Sequence, residues 1–108
     1  MNQDILQFVA IASGGRAYDI DFPLHPETRS AQSVSDLVTK LLDTITGHAS
    51  GRDDVSDGDI LQALAMTAAI RGRMLDAEPG QIEELTESLN RRAWGAVKAA
   101  ESFVAARA

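Results

Sequence analysis

The stretch Ser56-Asp-Gly-Asp-Ile-Leu-Gln-Ala-Leu-Ala-Met-Thr-Ala-Ala-Ile-Arg-Gly-Arg-Met-Leu-Asp-Ala77 constrains this chain more than any other. At 100° per residue, Ile60, Leu64, Thr67, Ala68, Met74 and Leu75 fall on one arc, flanked by Leu61, Ala63 and Ile70. The opposite arc carries Ala65, Met66, Ala69 and Gly72, with charge only at Arg73 and Asp76. A helix apolar or small nearly all round needs neighbours on most sides. Its start is marked by Ser56 with Asp59 three residues on, a capping-box pattern with Asp in place of Glu or Gln. Pro79-Gly80 is expected to close it. The reading is therefore of a central helix near 57–77.

Two more helices follow from periodicity. Over 31–46, Val34, Leu37, Val38, Leu41, Leu42 and Ile45 keep the 3–4 spacing, Ser30 or Ser33 can cap the start, and Gly47 supplies the stop. Over 80–106, Ile82, Leu85, Leu89, Ala93, Ala96, Ala100 and Phe103 step by 3 or 4 without a break. Between the first two lies Gly47–Ser56, aperiodic and charged, which reads as a mobile loop.

The N-terminal quarter supports two readings. Ile5, Leu6, Phe8, Val9 and Ala12 suit a short helix near 3–13, ended at Gly14-Gly15 and followed by an extended strap at 16–29 broken by Pro23 and Pro26. Leu6/Phe8/Ala10 and Tyr18/Ile20/Phe22 also alternate, so a β-hairpin turning at 13–16 is the alternative. The helix is the reading taken, because a lone two-stranded hairpin is marginal and no third strand is visible. The expected fold is all-α: one helical domain spanning 1–108, a small four-helix bundle with a strap. The alternative is an α+β fold with a hairpin at 5–22 packed on three helices.

Composition removes several functions. With 108 residues the chain is one domain by size. It has no cysteine, which excludes disulfides, thiolate metal sites and cysteine nucleophiles. The net charge of −6 opposes nucleic-acid binding, and the basic residues cluster only at Arg71/Arg73 and Arg91/Arg92. Met1-Asn-Gln-Asp lacks a basic leader, and Ile5–Ala12 is too short to span a bilayer, so a cytoplasmic location off the membrane is expected. No cofactor is expected either. Asp53, Asp54, Asp57, Gly58 and Asp59 resemble a calcium loop, but aligning Gly58 on the sixth position puts Val55 and Leu64 where ligands belong. They read as an acidic helix start. Ser13-Gly-Gly-Arg16 lacks the spacing and lysine of a phosphate loop. His25 and His48 have no acid at helical spacing and read as loop residues. No catalytic constellation emerges, and the chain reads as a non-enzyme.

Binding is what remains. A helix over 80–106 would be roughly 40 Å long, against a domain diameter of about 34 Å. It would leave Phe103 and Val104 exposed. A homodimer is therefore expected, with Trp94, Val97, Phe103 and Val104 as its self-association surface and another protein as a possible further partner. Arg71 breaks the apolar arc of the central helix. It is expected to pair with Asp19 or Asp21 of the strap, with Glu101 and Asp43 as second choices. The same trio could instead hold an anionic or polar small molecule. The main reading is a self-associating interaction or regulatory module.

Overall fold

The computed structural model describes residues 5–12 and 14–104. Along the chain these form strands β1 (Ile5–Ile11) and β2 (Arg16–Pro23), helices α1 (Ala31–Ala49), α2 (Asp57–Arg73) and α3 (Pro79–Ala99), and strand β3 (Glu101–Val104). The fold is thus α+β, which corrects the all-α four-helix expectation. The expected residues 3, 4 and 13, and the helix end at 105 and 106, lie outside the described residues.

Chain contacts gather into two compact units: a sheet unit containing the residues up to Ser35 and from Ser88 on, and a helical unit, Asp36–Glu87. In the sheet unit the strands run antiparallel in the order β1-β2-β3. The first two form a hairpin where a helix and a strap were expected. Local chemistry explains the outcome: the Ala12 amide donates to the Arg16 carbonyl at 2.8 Å, and the Gly15 amide donates to the Ala12 carbonyl at 3.0 Å. Gly15 sits at φ 88°, a left-handed turn conformation that costs glycine little. The missing third strand is β3, which arrives from the far end of the chain to pair Ala17 with Phe103 and Asp19 with Glu101. Three strands give the hairpin the support it lacks alone. The last helix accordingly ends at Ala99 and does not reach 106. The overshoot that suggested a dimer therefore disappears with it.

Register sorts the sheet into two faces. Leu6, Phe8 and Ala10 lie opposite Phe22, Ile20 and Tyr18 on one face, the more covered of the two. Ile5, Gln7, Val9 and Ile11 lie opposite Pro23, Asp21, Asp19 and Ala17 on the other. Only Ala17 and Ile20, at 1% and 6% exposure, are buried apolar residues among the described residues, one on each face. Arg16 Nη1 donates to Ser102 Oγ at 3.0 Å, tying β2 to β3.

The helices are set by their caps. Ser30 Oγ accepts the Ser33 amide at 3.0 Å, so Ser30 is the one of the two candidates that caps α1. α1 runs through Gly47 to Ala49, and the left-handed residue is Gly51 at φ 75°. The capping box of α2 is complete: the Asp59 amide donates to Ser56 Oγ at 3.0 Å, and the Ser56 amide donates to Asp59 Oδ2 at 3.2 Å. α2 ends at Arg73, four residues early, because the Met74 amide is shared between the Ile70 and Arg71 carbonyls at 3.1 and 3.2 Å. That sharing tightens the last turn and turns the chain out. Pro79, expected as a terminator, opens α3 in its first turn, where a missing amide costs nothing. Glu78 caps it, with Oε1 accepting the Gly80 amide at 2.8 Å.

Candidate interaction surfaces

α1 and α2 carry the apolar stripes the sequence shows, yet no residue of α1, α2 or α3 is buried. In the helical unit, α1 and α2 diverge around an open apolar groove of about 530 Å³. Leu41 and Ile45 line it from α1, and Ile60, Ala63, Leu64 and Thr67 line it from α2. These residues are the ones whose periodicity predicts a packed helix pair. They face one another across space that no side chain of this unit fills. Val55, in the connecting loop, lines one end of the groove together with His48 and Asp59. His48 was expected in a mobile loop; it stands in the last turn of α1 and is part of the groove wall.

The rest of α2 is no better covered. Leu61, Met66 and Ile70 are 63%, 56% and 59% exposed, and none of them lines the groove. The helix expected to be buried on most sides therefore has no buried residue on any side. One close approach does exist at its end. A Cβ on Gly72 would come within 2.8 Å of Ile82 Cγ2, so only glycine lets α3 begin against α2 at this distance.

The sequence-predicted site residues divide between the units. Trp94 and Val97, three apart on α3, are 55% and 42% exposed. Phe103 and Val104 are exposed as well, but on β3 they occupy opposite faces of the sheet, opposite Ala17 and Arg16 respectively. A single surface of these four residues was framed on one continuous helix, which the strand interrupts. Arg71 lies exposed in the last turn of α2, beside Arg73, where positive charge suits the negative end of the helix. Asp19 accepts a hydrogen bond from Gln7 Nε2 at 3.3 Å across the hairpin, and Asp21 stands exposed on the same face. Arg52 and Asp54 form an ion pair in the loop between α1 and α2. His25 Nδ1 accepts the Glu27 amide at 3.0 Å, which fixes it in the turn after β2. No helix of the described residues is long and apolar enough to cross a membrane.

What sequence reasoning missed is the free edge of β1. Ile5–Ile11 borders the sheet with no strand on its outer side among the described residues, and it contains no charged residue and no proline. The alternation Leu6/Phe8/Ala10 was the available signal. No family model matches this chain, and neither a curated protein nor a solved structure matches it.

Proposed function

We propose that this protein is a self-associating interaction module, and that a second copy of the chain supplies the apolar cover its helices lack. The observation that carries this is the open groove between α1 and α2, lined by the residues whose spacing predicts burial, on helices without one buried residue. Isolated helices of this length are marginal in water, because most helical stability comes from packing an apolar face.

An exposed aromatic residue on α3 supports the same reading, since such residues anchor the surfaces of homodimers. Trp94, at 55% exposure, is the residue type most enriched among the anchors of such surfaces.

Light scattering on purified protein at tens of micromolar tests the proposal. The expected mass is twice 11.6 kDa or a higher closed multiple. A monomer mass with the circular dichroism of a folded α+β chain rejects it.

A further inference from the structure

We propose that β1 is where two copies of the chain join: its free edge pairs antiparallel with the β1 of a second copy, about a two-fold axis at Phe8, to make one six-stranded sheet. This rests on the self-association reading above and names a contact of its own, at the sheet edge and outside the groove between α1 and α2.

The hairpin sets the phase of the edge. In an antiparallel pair, residues alternate between bonding to the partner strand and pointing their backbone groups away. The Ala12 amide bonds to the Arg16 carbonyl, so the even-numbered residues of β1 bond inward to β2. Ile5, Gln7, Val9 and Ile11 therefore turn their N–H and C=O groups to the open side. Natural edges are guarded by charge, proline, bulges or shortness. β3 is short, with four residues and Glu101 among them. β1 has seven residues and none of these guards. In a chain of net charge −6, like charge opposes the meeting of two copies. An uncharged strand is where that opposition is least.

The strand is also complementary to itself. With the axis at Phe8, all seven residues overlap: Ile5 pairs with the partner's Ile11 and Gln7 with the partner's Val9, using every outward backbone group. Phe8 meets the partner's Phe8 at a non-bonded position, where facing side chains approach most closely. An axis at Gln7 or Val9 leaves two residues of each strand unpaired.

Because the chain has no cysteine, single cysteines report the register directly. Facing non-bonded positions have Cβ atoms about 4.5–5.5 Å apart, close enough for a disulfide after a small shift. Phe8→Cys should oxidise to a covalent dimer at least about tenfold faster than Gln7→Cys or Val9→Cys, in keeping with that spacing. Val9→Pro removes an outward amide that β2 does not use, so the hairpin should survive while the dimer dissociation constant rises about a hundredfold. A monomeric wild-type protein overturns this proposal and the self-association reading together. If the wild type is dimeric while Phe8→Cys fails to cross-link, the β1 pairing is wrong and self-association through another surface stands. Should Val9→Pro lose its circular dichroism, the cross-linking rates alone decide between the two.

Discussion

The sheet unit and the helical unit solve the same problem differently. In the sheet unit, strands from opposite ends of the sequence satisfy one another's backbone groups, and the middle strand β2 carries the buried residues Ala17 and Ile20. In the helical unit every helix satisfies its own backbone, the caps are well formed, and nothing is buried. Backbone hydrogen bonds hold an element in shape but contribute only modestly to stability, whereas apolar burial drives folding. The helical unit has the first without the second. Under the self-association proposal, a second copy supplies the burial that is missing.

The largest expected effect separates covered from uncovered most sharply. Leu64 lines the groove and is 39% exposed in the single chain. If the groove stays open to water, Leu64→Asp is a surface change worth no more than about 0.5 kcal/mol. If a second copy fills it, the same substitution buries an unpaired charge and costs about 3–5 kcal/mol. The second outcome is expected, read as loss of the dimer in light scattering and a denaturation midpoint that no longer rises with protein concentration.

A smaller effect concerns the close approach of α2 to α3 at Gly72. Gly72→Ala should add helix propensity of about 1 kcal/mol. Its new methyl group meets Ile82 Cγ2 at 2.8 Å, and overpacking of that kind costs about 1–3 kcal/mol. Ile82 is β-branched and cannot swing aside cheaply. Net destabilisation is expected, and Ile82→Ala in the same chain should recover part of it, a coupling that urea denaturation of the four-member cycle measures. A simple gain of stability from Gly72→Ala would mean that α2 and α3 do not approach this closely at their ends.

How much of this was legible in the sequence follows from the range of the forces involved. α1, the start of α2 and its capping box are local, and the positions of Val34 to Ile45, Ser56 and Asp59 state them plainly. The hairpin was half legible: Gly14-Gly15 and the alternation of Leu6/Phe8/Ala10 permit it, but the same residues permit a helix. What decides is β3, and its bond from Arg16 to Ser102 joins residues 86 apart. The stepping of Ala93, Ala96, Ala100 and Phe103 runs straight through the point where helix gives way to strand, so no local pattern marks it. The groove was invisible for a different reason. Leu41, Ile45, Ile60 and Leu64 were identified as residues that seek burial, but periodicity does not say which chain provides it. The edge of β1 follows only once the strand order is known.

The smallest effect belongs to the loop between α1 and α2. Arg52 Nε and Nη2 donate to Asp54 Oδ1 and Oδ2 at 3.1 and 3.2 Å, a two-pronged contact on an exposed loop. The Arg52 guanidinium, first, and then the Asp54 backbone amide hold this carboxyl below its ordinary value, with His48 adding a weaker pull. A carboxyl lowered in the folded state stabilises fully above its unfolded pKa, near 3.9. That contribution disappears as the pH falls through the lower, folded value. The window therefore lies wholly on the acid side, below about pH 4. Both side chains are open to water, at 46% and 67% exposure, so screening keeps the contribution small. Asp54→Asn should leave the denaturation midpoint at pH 7 within experimental error. Any gap between variant and wild type should close further as the pH is taken below 3, a range chosen from the same pKa argument. A concentration-dependent loss at pH 7 would contradict this and place the loop, like the groove it closes, under the second copy. The exposure of Arg52 and Asp54 would then be a property of the single chain alone, and the loop would join the helical unit as surface awaiting cover.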